Sequence, residues 1–165
     1  RINRVPPPRL FAITNPQTGK VYGYAFSTWA LIDTTSRQPM DLAELPNGGF
    51  SSALIEKEIP IAGPGRIRLK NTENAVRTRQ AYYTDLDING HVNSIRYIEM
   101  MLDLFPAKQF EASPVKRLEV AYSAEAYADD LLHFYQEPSA KGDATLVEIR
   151  KEEGRIPVVK AAITF

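Results

Sequence analysis

Cysteine is absent from the 165 residues, and histidine occurs only twice. The first absence removes disulfides, thiolate nucleophiles and cysteine-ligated zinc together, and it fits a reducing compartment. The second leaves His91 and His133 without helical spacing, a poor ligand set for zinc. Net charge is lacking too: Lys+Arg and Asp+Glu stand at 20 each, so no global basic field favours nucleic acid. No apolar run approaches the ~18 residues of a membrane span, and the first residues do not read as a signal peptide. There is no Gly-x-Ser-x-Gly elbow, no P-loop and no Gly-x-Gly-x-x-Gly, which weakens serine-hydrolase and nucleotide readings. Internal repeats and low-complexity tracts are missing as well. What remains is ordinary globular composition, with 44% hydrophobic and 24% charged residues, enough for one domain or two small ones.

The first seventy residues read as strands and loops. Pro6-Pro7-Pro8 is a stiff extended entry. Residues 9–14 and 20–33 are strand candidates around the turn chemistry of Asn15-Pro-Gln-Thr-Gly19, and 38–42 is a short further strand. Pro46-Asn-Gly-Gly49, Pro60 and Gly63-Pro-Gly65 then break the pattern, leaving at most a short helix over 51–58. This stretch reads as a linker whose basic end is Arg66, Arg68 and Lys70, either a solvated rim or a docking patch.

The second half has another rhythm. Residues 73–83 are strand-like and Asp85 to Gly90 is a polar loop. Val92, Ile95, Ile98, Met101, Leu102 and Phe105 recur at helical spacing until Pro106. Strand candidates follow at 114–126, 129–137, 144–151 and 157–165, with Gly142 and Gly154 marking hairpin turns. Strand, helix and four antiparallel strands predict an α+β hotdog fold, a curved antiparallel sheet wrapped around one central helix. Division falls at 1–70, a partial N-terminal unit plus linker, and 71–165, the domain carrying the chemistry.

Asp85, Asp87, Asn89 and His91 recur every second residue just before that helix. A helix start offers unpaired N–H groups and partial positive charge for a developing oxyanion. Asn89 offers an amide that donates without titrating, His91 exchanges protons near neutral pH, and Asp87 can orient either. Each has a plainer reading. The two aspartates can cap the loop and helix, Asn89 can form a turn, and His91 can be a satisfied core histidine. His133, in an apolar strand run, reads as structural. Glu125, in Ala121-Tyr-Ser-Ala-Glu125-Ala-Tyr, is a carboxylate that partial burial would turn into a base, or else a solvated strand-edge glutamate.

The run Tyr83-Thr-Asp-Leu-Asp-Ile-Asn-Gly-His-Val-Asn-Ser-Ile-Arg-Tyr-Ile98 resembles the acyl-acyl carrier protein thioesterases of plants and bacteria. Their Asp-x-Asn-x-His motif falls here on Asp87, Asn89 and His91. Tyr122-Ser-Ala-Glu125-Ala126 looks like the family's glutamate-bearing stretch, with Ala126 where the family has cysteine, which rules out a thiolate mechanism. Gly23-Tyr-Ala-Phe-Ser-Thr-Trp-Ala-Leu-Ile-Asp33 followed by Ser36-Arg-Gln-Pro39 is similar to its N-terminal half, and the Trp29 segment points to the carrier-protein branch. The resemblance implies tandem hotdogs, of which the first strand and helix of the N-terminal unit are missing here. With Arg1 as first residue, the sequence reads as lacking its natural start. It also implies a bacterial cytoplasmic enzyme that hydrolyses fatty acyl-acyl carrier protein and terminates fatty acid synthesis, without cofactor or metal. Glu125 would activate water with help from His91, Asn89 and helix N–H groups would hold the carbonyl oxygen, and Asp87 would orient Asn89 or His91. The partner would be the acidic acyl carrier protein, with Arg66, Arg68, Lys70, Arg77 and Arg79 as contacts; a homo-oligomer is a further expectation. Rival readings are an acyl-CoA thioesterase, a non-catalytic acyl-binding hotdog and a hotdog dehydratase.

Overall fold

The computed structural model describes residues 9–36, 38–40, 45 and 60–165. The expected proline entry at 6–8 and the short helix over 51–58 lie outside them. The chain divides into two compact units, Arg1–Gly63 and Pro64–Phe165.

In the first unit, β1 (Arg9–Thr14) pairs antiparallel with β2 (Val21–Ser27). The turn between them forms because the Asn15 carboxamide accepts the N–H groups of Gln17 and Thr18, while Gly19 takes φ +70°. The single long strand expected over 20–33 is two: Ser27 pairs with Arg9, and the chain then leaves the ladder. Past that break the Trp29 indole donates to the Ser27 hydroxyl, and β3 (Leu31–Ile32) pairs with β4 (Pro39–Met40). None of the described residues of this unit is buried. Two-stranded ladders cannot enclose a core by themselves.

The second unit holds the core. Its sheet runs in the order β5 (Arg77–Gln80), β7 (Leu131–Pro138), β8 (Thr145–Lys151), β9 (Ile156–Thr164) and β6 (Arg117–Tyr122), antiparallel throughout. The hairpin turns fall where the glycines predict, with Gly142 and Gly154 at φ +71° and +82°. Alternation sends Leu132, Phe134, Val147, Ile149, Val159, Ala161 and Ile163 to one face, all 1% exposed or less. Against that face lies α1 (Ser94–Leu102), followed by the short α2 (Ala107–Ala112) beyond Pro106. Together these make the predicted hotdog arrangement.

The expected stripe is buried or packed against the core at Val92, Ile98, Met101, Leu102 and Phe105 but not at Ile95, and Tyr97 and Met100 join it. Tyr97, Met100 and Met101 are its buried residues, with Ile98 and Leu102 at the margin, whereas Ile95 is 57% exposed. Tyr97 stands four residues before Met101, on the same stripe.

Residues 64–71 belong to the second unit, and two carboxylates hold them across the sheet. The Gly65 N–H donates to Glu119 on β6 at 2.8 Å. The N–H groups of Lys70 and Asn71 donate to Glu137 on β7 at 2.8 and 3.0 Å. Both glutamates alternate with core residues, so this strap runs over the face opposite α1 and buries Leu69. It leaves a cleft of about 370 Å³ edged by Arg66, Arg68 and Lys70.

Met101→Ala is expected to destabilise the protein by about 2–5 kcal/mol in denaturant titrations. Ile95→Ala should stay within about 0.5 kcal/mol; a loss at Ile95 as large as that at Met101 would restore the stripe read from the sequence.

Candidate active site

The loop before α1 is built by backbone hydrogen bonds. Leaving β5, the chain makes a 3-10 turn over Tyr83–Asp85 that sends Asp85 inward, 4% exposed. There the carboxylate takes both terminal nitrogens of Arg79, at 2.8 and 3.0 Å, and accepts the Tyr82 N–H at 2.8 Å. Its backbone carbonyl accepts the Asn93 N–H. Asp85 is therefore the cap of this loop, the plainer of its two readings. Burial pushes its carboxyl up, but the Arg79 hydrogen bonds, the Tyr82 N–H and the charges of Arg79 and Arg96 outweigh burial and hold it below the ordinary value of 3.8.

From Leu86 to Val92 the chain turns back on itself. The two ends form a bridge, the Asp87 N–H donates to the His91 carbonyl at 2.8 Å, and the Gly90 N–H donates to the Asp87 carbonyl at 3.0 Å. The left-handed position is Gly90, at φ +76°, not Asn89. Asp87 fixes this turn from inside: its Oδ1 accepts the N–H of Asn89 at 2.8 Å and that of His91 at 3.4 Å. The aspartate thus acts on the backbone of Asn89 and His91, not on their side chains. Asn89 stands exposed beside the fully exposed Ile88, and its amide makes no hydrogen bond among the described residues.

The turn then meets the segment after β6. The Val92 N–H donates to the Ala126 carbonyl at 2.8 Å. This places His91 Nε2 3.5 Å from Glu125 Oε2, with side-chain exposures of 30% and 44%. That is long for a charge-assisted hydrogen bond, and Glu125 is more open than the expected partly buried base. Tyr127, unforeseen from the sequence, completes the group. Its hydroxyl donates to Glu125 Oε2 at 3.2 Å, and its ring stands edge-on to His91 at 5.1 Å. The spacing Glu125-x-Tyr127 in an extended segment was the available signal.

Helix α1 starts later than expected, at Ser94, capped by the Asn93 side chain, which takes the Ile95 N–H at 2.9 Å. His133 lies on β7, its Nε2 buried without a hydrogen bond. Of the five basic residues expected to meet a partner, Arg79 is committed to Asp85 and Arg77 donates to the Asp103 carbonyl. Arg66, Arg68 and Lys70 edge the cleft under the strap, beside the far end of β7. Among the described residues no three His, Cys, Asp or Glu side chains gather as metal ligands, and no helix is long and apolar enough to cross a membrane.

Asp85→Asn is expected to cost about 1.5–3 kcal/mol at neutral pH, because the Arg79 guanidinium loses a charge-assisted partner. A carboxyl held low by folding stabilises fully above its unfolded pKa of about 3.9 and ceases to as pH falls below it. The denaturation midpoint of the natural chain should therefore fall more steeply below about pH 4 than that of the variant; parallel curves would remove Asp85 from this role.

Comparison with known proteins gives the family and supports the fold. The acyl-ACP thioesterase C-terminal domain family matches residues 69–165. A crystal structure of an acyl-ACP thioesterase from Bacteroides thetaiotaomicron superposes with TM-score 0.87 at 37% identity, covering 100% of this chain and 65% of that one. The 12:0-ACP thioesterase of Umbellularia californica superposes with TM-score 0.77 at 20% identity, over 95% of this chain and 61% of that one, and speaks for the fold alone. The palmitoyl-acyl carrier protein thioesterase of Gossypium hirsutum is 23% identical over 128 residues, 75% of this chain and 31% of that protein. The dodecanoyl-[acyl-carrier-protein] hydrolase of Cinnamomum camphora is 25% identical over 126 residues, 74% of this chain and 33% of that protein. The chain thus spans about a third of the length of these two plant relatives. With the family matched over more than half of its residues, the chain belongs to the acyl-ACP thioesterases.

Proposed function

We propose that this chain carries the hydrolytic centre of an enzyme that cleaves fatty acyl-acyl carrier protein to free fatty acid and carrier protein, ending acyl chain growth. The observation that carries the reading is the meeting of His91 and Glu125, with Tyr127 on the same carboxylate oxygen. Glu125 takes a proton from water, the water oxygen attacks the thioester carbonyl carbon, and the carbon–sulfur bond breaks. The departing thiolate takes up the proton, with His91 as its carrier. The Asn89 amide, uncommitted at the tip of its turn, serves the carbonyl oxygen together with N–H groups at the start of α1. Asp87 keeps that turn in shape from below.

The chemistry of a carrier protein, acidic and protein-sized, fits the cationic edge formed by Arg66, Arg68 and Lys70. Glu137 beside that edge lies six residues along β7 from Leu131 at the site end, about 20 Å at the rise of a strand. A carrier seated there would have to deliver its acyl group across that span. Similarity to the Bacteroides protein and the lack of cysteine support a bacterial cytoplasmic setting.

The test is turnover of one acyl group presented on acyl carrier protein and on coenzyme A, by the natural chain and by Glu125→Gln and His91→Ala. We expect hydrolysis to favour the carrier-bound substrate and to fall about 10²–10⁴-fold in each variant, with circular dichroism unchanged. Preference for coenzyme A would make it an acyl-CoA thioesterase. Undiminished turnover in both variants would remove hydrolysis from this place, and an alkene product would make it a dehydratase.

A further inference from the structure

Tyr127 is 46% exposed beside Glu125, yet it is fixed from several sides. Its backbone closes a turn with Asp130. The Tyr127 N–H donates to the Asp130 carboxylate at 2.9 Å, and the Asp130 N–H donates back to the Tyr127 carbonyl at 3.3 Å. The turn is tied to the chain just past β5: the Asp129 N–H donates to the Ala81 carbonyl and the Ala81 N–H to the Asp130 carbonyl, each at 2.9 Å. From the end of β8, the Lys151 ammonium lies 5.3 Å from the centre of the Tyr127 ring and 3.7 Å from the Asp130 carboxylate. A cation over an aromatic face is attracted to it, so Lys151 holds ring and turn together.

Glu125 lies past the end of β6 with its side chain 44% exposed. A long side chain in such a place has rotamer freedom to lose before it can act from one position. Its contact with His91, at 3.5 Å, is too long to set the carboxylate alone. The Tyr127 hydroxyl donates to the same oxygen, Oε2, at 3.2 Å. A tyrosine turns about fewer bonds than a glutamate, and this one is clamped at backbone and ring, with its ring nearly perpendicular to that of His91 at 5.1 Å. Of the two, Tyr127 is the fixed member and Glu125 the one that is held. A general base works only from within reach of the proton it takes.

We infer that Tyr127 is a positioning residue for the hydrolysis proposed above. Its hydroxyl holds Glu125 Oε2 beside His91 and so sets the direction from which the carboxylate takes the proton of water. Lys151 and Asp130 keep the ring that carries this hydroxyl in place. The inference rests on the hydrolase reading and adds to it a residue that does not touch the thioester.

The experiment compares Tyr127→Phe and Tyr127→Leu in the whole chain, and Tyr127→Phe combined with Glu125→Gln, by thermal melting and by kcat and KM on acyl-acyl carrier protein. Phenylalanine keeps the ring and loses only the hydroxyl. Tyr127→Phe is expected to leave Tm and KM unchanged and to lower kcat by about tenfold to a hundredfold, the scale of a small misplacement of a catalytic group. Tyr127→Leu should lower kcat at least as far. In the Glu125→Gln background Tyr127→Phe should have no further effect, because the hydroxyl acts only through that carboxylate. A kcat in Tyr127→Phe equal to that of the natural chain overturns the inference; with a loss in Tyr127→Leu, the role would belong to the ring. A raised KM overturns it by making Tyr127 a substrate contact, and a kcat that falls together with Tm overturns it as structural damage. A further loss in the Glu125→Gln background overturns it too. Loss of activity in Glu125→Gln together with full activity in Tyr127→Phe refutes this inference alone. Full activity in Glu125→Gln refutes the hydrolase reading as well.

Discussion

One backbone hydrogen bond, from the Val92 N–H to the Ala126 carbonyl at 2.8 Å, joins the two pieces of chain that hold His91 and Glu125. His91 precedes its donor and Glu125 precedes its acceptor. Core, helix cap and ion pair are all linked to the turn at His91. The sheet buries a continuous apolar face under α1, and α1 can begin only where Asn93 caps it. Asn93 is in turn tied to Asp85, and Asp85 to Arg79 on β5. Core, cap and ion pair thus converge on the position of one turn.

Within that turn the three motif residues have different work. Asp87 spends its carboxylate on the N–H groups of Asn89 and His91, which makes it a fixture of the backbone. The Asn89 side chain stands exposed at the tip, with no hydrogen bond among the described residues. His91 is held between Glu125 and the edge of the Tyr127 ring. Of the expected site residues, His91 and Glu125 are the pair whose side chains meet. In this member of the acyl-ACP thioesterase family the His91–Glu125 contact thus stands on a turn that Asp87 shapes.

The sheet was legible from the sequence because apolar alternation and turn glycines are local signals. Three of the five strands of the second unit lie within their expected spans, β7 and β9 overrun theirs by one residue each, and Gly142 and Gly154 sit at positive φ. The buried stripe of α1 departs from the expected one at Ile95. An apolar count includes Ile95 and omits Tyr97, whose ring is apolar although its tip is not. The strand expected over 73–83 was too long, since a turn claims its end once Asp85 swings inward to Arg79. That ion pair joins residues on two elements, and no periodicity announces it. Tyr127 was missed because a single aromatic two residues after a glutamate gains meaning only once His91 lies beside it. The alternating polar run is legible as a candidate site, but its alternation belongs to a tight turn and not to an extended strand.

The central claim is that His91 and Glu125 act as one unit. A double-mutant cycle on single-turnover hydrolysis of acyl-acyl carrier protein tests it most directly: the natural chain, each single variant and the pair His91→Ala with Glu125→Gln. Groups that act together lose their function once, so the double variant should be no slower than the slower single variant. Losses that multiply would mean that the two side chains work independently, and their contact at 3.5 Å would then be mere proximity.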